Sequence, residues 1–254
     1  MSEDSFINKS PGHAPLKNVV AMMALVRKVQ ARGPHLPNIV VMHGPSGYGK
    51  SFASVYAQNK TRAIRVEVGD SWTRKTFLKS ILRELGVNEP KGTIPDMAER
   101  AIELLGDDFS RPLMIDEADK LADKGFLELL REVAERSQVP VVLIGEEALP
   151  SKLARVERVH NRILDWAPAQ PCDLDDVRHL ARLYVPKLTL SDTLIDRVRI
   201  QSDGRARRVV TNLDAIAHWA RNHGQTEIGI EYDGGFQTGR PPAPRPGSAI
   251  GRAA

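Results

Sequence analysis

One cysteine, Cys172, stands in 254 residues, which excludes any internal disulfide and suits a reducing cytosol. Long apolar runs are missing too. The longest, Ile39–Met42 and Val139–Ile144, are far too short to span a bilayer, so no membrane partner is expected. Met1–Gly12 is polar with an acidic start, and no secretory signal is expected. The seven histidines are scattered, with no Cys/His cluster and no His-Glu-x-x-His spacing, which argues against a zinc module. Strong charge of one sign is also lacking. A net charge of +4 and a pI near 9.2 permit a nucleic-acid partner without establishing one. What is present is a 41% apolar fraction, enough for a packed core, in a length that suits one large domain with a small satellite.

Apolar runs alternate with helical stripes through the first two thirds of the chain. Leu16–Arg32 has helical spacing and is stopped by Gly33-Pro34. Strands are predicted at Ile39–Met42, Ala63–Val68, Pro112–Ile115, Val141–Ile144 and Ile163–Trp166. Helices are predicted at Lys50–Gln58, around Phe77–Leu85, at Ile94–Leu105 and at Phe126–Arg136. This order argues for an α/β fold whose parallel sheet is covered on both faces. From Pro171 the character changes to helices only, at Asp173–Tyr184, Ser191–Gln201 and Arg205–His223, with a weak strand pattern at Thr226–Tyr232. The organisation expected is a flexible segment over 1–15, an α/β nucleotide-binding domain over 16–170 and a small helical domain over 171–233. A flexible basic tail over 234–254 completes it, with five Gly, four Pro, three Arg and no acid in its 21 residues.

The most specific signal is Gly44-Pro45-Ser46-Gly47-Tyr48-Gly49-Lys50-Ser51, a full G-x-x-x-x-G-K-[ST] match followed by Phe52 and set between a predicted strand and a predicted helix. Gly47 and Gly49 let the backbone curl so that its N–H groups face phosphate oxygens, and the helix start adds positive potential. Lys50 would neutralise the β/γ-phosphates of ATP, and the Ser51 hydroxyl would join the Mg²⁺ shell. Pro112–Ile115 ends in Asp116 and Glu117, where a strand tip should meet those phosphates. Asp116 would hold the Mg²⁺ shell and Glu117 would orient the attacking water. Asp119, further along, reads as a solvated acidic turn. A glycine turn that happens to precede Lys-Ser would be the bland alternative, but motif and context agree against it.

Together, Gly44–Ser51, Asp116-Glu117-Ala118-Asp119 and the helical region after Pro171 resemble an AAA+ ATPase over roughly Leu16 to Gly224. The stretches Met114–Leu121, Leu127–Arg131 and Val141–Gly145 are similar to the phage Mu B-type transposition ATPases and their transposon target-selector relatives. That resemblance implies an AAA+ P-loop three-layer α/β/α fold with a helical lid. It also implies an ATP-dependent DNA-binding ATPase that forms a ring or filament of identical subunits on target DNA. Such a protein delivers that DNA to a transposase, which stimulates hydrolysis, in the cytoplasm of a bacterial or phage-infected cell. Arg162 matches the finger that reaches a neighbour's γ-phosphate, with Arg158 second; Arg155, Arg158 and Arg162 are expected on one helical face, which could equally be a solvated basic face. Arg207 matches the sensor 2 arginine. The sensor 1 position departs from the family pattern: strand four ends Gly145-Glu146-Glu147, without Asn, Thr or Ser, which implies slow, partner-dependent hydrolysis. The Mu protein has an N-terminal helix-turn-helix domain for which no room is expected before Leu16.

The loop Gly69–Thr76 is the candidate DNA contact, through Trp72, Thr73, Arg74 and Lys75. Thr73 is a plausible N-cap, so Arg74 and Lys75 fall in a first helical turn, where the macrodipole disfavours cations by about 0.3–1 kcal/mol each. An external anion would relieve this, and a DNA phosphate is the natural one; the corresponding loop of the resembling clade faces DNA. An exposed, mildly unfavourable pair of charges is the alternative, and Trp72 reads as a buried anchor ahead of a sugar contact. Two further functional readings are a helicase loader or replication initiator, and a nucleotide switch in signalling without DNA.

Overall fold

The apolar runs become five parallel strands: β1 (Ile39–His43), β2 (Ile64–Glu67), β3 (Leu113–Asp116), β4 (Val141–Gly145) and β5 (Ile163–Pro168), in the spatial order β2-β3-β4-β1-β5. The protein is described by a computed structural model over residues 16–240. The central strands β1, β3 and β4, buried on both faces, need apolar side chains at almost every position, which explains their runs, whereas the edge strands β2 and β5 carry Arg65, Glu67 and Asp165. Val40, Met42, Met114, Val142 and Ile144 point to one face, and Ile39, Val41, Leu113, Ile115, Val141 and Leu143 to the other. The helices around the sheet are α1 (Lys17–Gln30), α2 (Lys50–Thr61), α3 (Arg74–Glu84), α4 (Ile94–Gly106), α5 (Asp119–Asp123), α6 (Leu127–Ser137), α7 (Leu149–Ala154) and α8 (Glu157–His160). The first strand face packs on α1 and α2, the second on α3, α4 and α6. The chain then continues through α9 (Leu174–Tyr184), β6 (Thr189–Leu190), α10 (Asp192–Gln201), α11 (Ala206–His223) and β7 (Glu227–Ile228), with β6 and β7 paired in parallel.

The helical unit is tied to the sheet by polar contacts, some buried and some at the surface. Asn18 of α1 donates to the carbonyls of Tyr48 (2.7 Å) and Gln170 (2.8 Å) and accepts from the Gln170 N–H (2.9 Å). Asp173 and Asp176 form a capping box on α9, and Lys17 pairs with both carboxylates at 3.0 and 3.6 Å. The Cys172 N–H donates to the carbonyl of Gly204 at the turn before α11. These links set the start of α11 against the loop that follows β1.

Three expectations change. Arg155, Arg158 and Arg162 do not share a helical face: Arg155 caps α7, Arg158 lies in α8, and Arg162 follows α8 on the way into β5. The break falls at β-branched Val156, whose φ of −114° and ψ of 82° cannot continue a helix. The weak strand at Thr226–Tyr232 shrinks to two residues, because the chain turns at Gly229. The segment from Gly234 to Arg240 is not a loose tail. Phe236 packs edge-on against buried Tyr232 (5.4 Å) and under the Arg197 guanidinium (5.3 Å). Asn212 also binds the backbone of Gln237 through both amide atoms, at 2.6 and 3.3 Å. One aromatic and one buried amide anchor a segment that composition alone reads as flexible. Residues 1–15 and 241–254, where flexible segments were expected, lie outside the described residues.

Candidate nucleotide-binding site

In an open parallel sheet, ligands bind beyond the carboxyl ends of the strands. Here β1 delivers the glycine-rich loop, β3 delivers Asp116 and Glu117, and β4 delivers Gly145 and Glu146 to that edge. Gly47 and Gly49 have φ of +86° and +87°, conformations that side-chain-bearing residues rarely adopt, and Gly49 is the N-cap of α2. The loop bounds a cavity of about 360 Å³. Ser46, Gly47, Gly49, Lys50, Ser51 and Phe52 line one wall, and Asp116, Glu117, Gly145 and Glu146 line another. Pro45 and Tyr48 support the loop instead: the Pro45 carbonyl accepts from Lys50, and the Tyr48 ring lies 5.7 Å from the Arg205 guanidinium.

Lys50 is buried to 9% exposure, and its Nζ donates to the carbonyls of Gly44 (2.6 Å) and Pro45 (2.9 Å). Burial lowers its pKa, while Glu146, Asp116, Asp119 and Glu117 oppose that shift. A buried cation held by carbonyls can transfer its hydrogen bonds to anionic oxygens entering the cavity.

Asp116 is 3% exposed and has both oxygens engaged. Oδ1 accepts the Glu117 N–H at 3.0 Å, and Oδ2 accepts from Arg65 Nη2 at 2.7 Å. Arg65 Nε also donates to Ser54 Oγ at 2.8 Å. Arg65 was not among the residues expected here, although an arginine in the alternating strand pattern Ala63–Val68 beside a strand ending in acid was the available signal. Glu117 has φ of +57°, a left-handed backbone that costs about 1 kcal/mol for a non-glycine residue. This bend turns its half-buried carboxyl onto the cavity. Burial raises its pKa, Lys120 opposes, and Asp116 and Glu146 add to the rise.

Asp119 is not a solvated acidic turn. It is 7% exposed, and its Oδ2 accepts the Glu146 N–H at 2.6 Å. Gly145 makes this possible, because a Cβ there would lie 2.2 Å from that oxygen. The acid thus ties the start of α5 to the end of β4, and Glu146 stands on the cavity wall.

The opposite wall comes from the helical unit. Ala206, Arg207, Val210 and Thr211 of α11 face the cavity, and the Arg207 N–H reaches the Gly47 carbonyl at 3.3 Å. Arg207 is exposed and has no ion pair among the described residues, whereas Arg205 donates to the Ser46 carbonyl and pairs with Asp203 at 3.5 Å. Leu16, Leu180, Tyr184 and Val210 make an apolar end to the cavity suited to a flat ring. None of these four was legible as a site residue in the sequence; Leu180 and Tyr184 are one turn apart on α9, but nothing local marks them as more than core.

Other singled-out residues lie elsewhere. Arg162 pairs through Nε with Glu135 and does not line this cavity. Arg158 is exposed with no ion pair among the described residues. Thr73 caps α3, its Oγ1 accepting the Thr76 N–H at 3.2 Å. Trp72 is half-buried. Arg74 and Lys75 are exposed as expected, but Arg74 already has partners: Nη2 donates to the Gly125 carbonyl at 3.2 Å, and the guanidinium lies 6.0 Å from the Phe126 ring. Its guanidinium therefore has partners within the chain but no carboxylate, and among the described residues neither Arg74 nor Lys75 forms an ion pair. Among the described residues, no group of three His, Cys, Asp or Glu side chains could hold a metal alone, and no helix is long and apolar enough to cross a membrane.

A sequence search among curated proteins finds no match. Residues 34–153 match the family model described as an AAA domain. Among solved structures, the fold is similar to the Aeropyrum pernix Orc1 protein in complex with DNA, with TM-score 0.62 and 17% identity over 84% of this chain and 62% of that one. It is similar to Cdc6p from Pyrobaculum aerophilum (0.60, 16%, over 86% and 66%). It is also similar to the Thermotoga maritima RuvB Holliday junction branch migration motor (0.58, 15%, over 85% and 66%). The chain thus spans just under two thirds of the length of each of these proteins. The sheet order, the glycine-rich loop and these likenesses establish an α/β P-loop NTPase fold of the AAA+ type, with an AAA domain matched over residues 34–153.

Proposed function

We propose that this protein is an ATP-switched, DNA-binding ATPase that assembles on target DNA and serves transposition by presenting that DNA to a transposase. The observation that carries the ATPase half is convergence: Lys50 and Ser51 from α2, Asp116 and Glu117 from the end of β3 and Arg207 from α11 face one cavity with an apolar end. A triphosphate would lie along the glycine loop, with its base among Leu16, Leu180, Tyr184 and Val210. Lys50 would trade the Gly44 and Pro45 carbonyls for phosphate oxygens. Arg207 would close over the phosphates from α11. Glu117 would accept the proton of the attacking water.

The Ser51 hydroxyl and the Asp116 carboxylate, hard oxygen donors on the same cavity, fit Mg²⁺, which takes few protein ligands beside phosphates. The ion, when bound, would neutralise charge developing on the phosphates. With Glu146 rather than a neutral polar residue on the β4 side, an additional negative charge faces the phosphates, in keeping with slow hydrolysis that a partner stimulates. Arg162 or Arg158, both away from this chain's own cavity, would complete the site of a neighbouring copy, and Arg158 is the one that carries no ion pair of its own among the described residues.

DNA binding is supported by the basic loop from Trp72 to Lys75 and by the likeness to Orc1, a structural neighbour solved in complex with DNA. The transposition role rests on the sequence resemblance. The likeness to Orc1 and Cdc6p favours a second reading, a replication initiator or helicase loader, in which the partner would be replicative rather than a transposase. Nucleotide binding and turnover of Lys50→Ala and Glu117→Gln test the site. The first should lose tight MgATP binding; the second should bind ATP without hydrolysing it. Retention of tight MgATP binding by Lys50→Ala would refute the assignment.

A further inference from the structure

The loop before α3 and the segment through α5 meet on one surface beside the catalytic edge. Lys120 Nζ stands 3.4 Å from Asp70 Oδ2 and 3.8 Å from Glu117 Oε2, so one ammonium is shared between two carboxylates. Lys124 Nζ donates to the Asp70 carbonyl, and Arg74 Nη2 donates to the Gly125 carbonyl. Asp70 is the one acid in Gly69–Thr76, and its side chain is 88% exposed. Lys120 thus meets the Asp70 carboxylate and Lys124 its backbone carbonyl, while Arg74 is bonded to Gly125 beside Lys124 and Lys75 follows it in the first turn of α3.

We propose that Asp70 holds the place of a nucleic-acid phosphate on this surface, and that Lys120 reports its displacement to Glu117. This rests on the DNA-binding reading above and extends the contact surface from the loop to Lys120 and Lys124. The driving force is electrostatic. A phosphate drawn to Arg74 and Lys75 brings negative charge beside Asp70 and competes with it for Lys120 and Lys124. Asp70 has little burial to hold it in place, and exposed carboxylate–ammonium pairs are weak. Lys120 is 26% exposed and long enough to follow the stronger anion. Once it turns outward, its charge leaves Glu117, and the carboxylate is free to take the position of a base. Lys120 is thus a positioning residue, acting through Glu117, whose ammonium is engaged either with the base or with DNA.

The test uses the full chain and a mixed-sequence duplex as the probe, reading ATP turnover with and without DNA and DNA affinity across a salt series. Lys120→Ala should raise turnover without DNA about two- to fivefold, the size of a partly exposed ion pair, and DNA should then add little. Its log–log salt slope for DNA should fall by about 1, one phosphate contact. Asp70→Asn should act in the opposite sense on turnover, lowering the DNA-free rate because Lys120 is left to Glu117 alone, while tightening DNA binding. Lys120→Arg should keep the stimulation, which separates the charge from damage to the fold. If Lys120→Ala matches wild type in DNA-free rate, stimulation and slope while wild type binds DNA, the coupling is overturned and the DNA-binding reading stands. If wild type holds no DNA in any nucleotide state, the DNA-binding reading fails, and this proposal fails with it.

Discussion

Replacing Arg65 with Met is the sharpest test of how the site is held. The guanidinium makes two bonds that matter, to Asp116 Oδ2 at 2.7 Å and to Ser54 Oγ at 2.8 Å. Its third partner, Glu67, is 63% exposed and contributes little. Asp116 is 4% exposed at its side chain, so removing Arg65 leaves a buried carboxylate with the Glu117 N–H and a long contact from the Ser54 hydroxyl at 3.5 Å. Breaking one side of a buried pair costs about 3–5 kcal/mol. The cavity beside Asp116 admits water, so the lower end, about 3 kcal/mol, is expected. The assay is urea unfolding of wild type, Arg65→Met, Asp116→Asn and the double variant. The double variant should be more stable than Arg65→Met alone, since it removes the orphaned charge, a non-additivity of about 1–3 kcal/mol. MgATP should stabilise Arg65→Met, and ATP with a chelator should do so less, because a cation at the Ser51–Asp116 pair replaces the lost guanidinium charge. A loss below about 1 kcal/mol, or strictly additive effects, would refute the reasoning, because the Arg65–Asp116 pair would then carry no more than a surface pair.

Gly145→Ala should destabilise by about 2–4 kcal/mol, since its Cβ would take the place of Asp119 Oδ2 and break the bond to the Glu146 N–H; the midpoint of thermal unfolding reads this. Truncation after Asp233 should lower stability by about 1–3 kcal/mol, because it strips Phe236 from Tyr232 and Gln237 from Asn212, and the same thermal scan checks it. The Cys172 thiol, pushed up to about 12 mainly by burial, should resist alkylation at a pH of about 8 until the chain unfolds. Mixing Lys50→Ala protein with Arg162→Ala or Arg158→Ala protein should restore part of the turnover for whichever arginine acts in a neighbour's site, and neither mixture doing so would exclude both.

Much of this architecture was legible in the sequence because its signals are local. Apolar runs bounded by polar turns located β1, β3 and β4, alternation located β2, and a strand–glycine loop–helix order located the glycine-rich wall of the cavity. What escaped depends on contacts between distant residues. Asp119 looks like a solvated turn until β4 brings Gly145 against it, and Arg65 looks like a surface charge until β2 and β3 align Glu67 with Asp116. The apolar end of the cavity joins Leu16 to Leu180, Tyr184 and Val210, residues from opposite ends of the chain for which no spacing rule exists. Phe236 was read by composition, and composition cannot see a single aromatic finding a partner. The charges of Arg155, Arg158 and Arg162 have helical spacing and imply one helical face, yet Val156 interrupts the backbone.

The central claim is that nucleotide in this cavity controls grip on DNA. The most direct measurement is retention of a DNA duplex by wild type and Glu117→Gln protein with ATP, with ADP and without nucleotide, at one fixed salt concentration. The account predicts retention by wild type with ATP only, and longer retention by Glu117→Gln, whose site binds ATP but does not consume it. Equal retention in all three nucleotide states, or none in any, would contradict it.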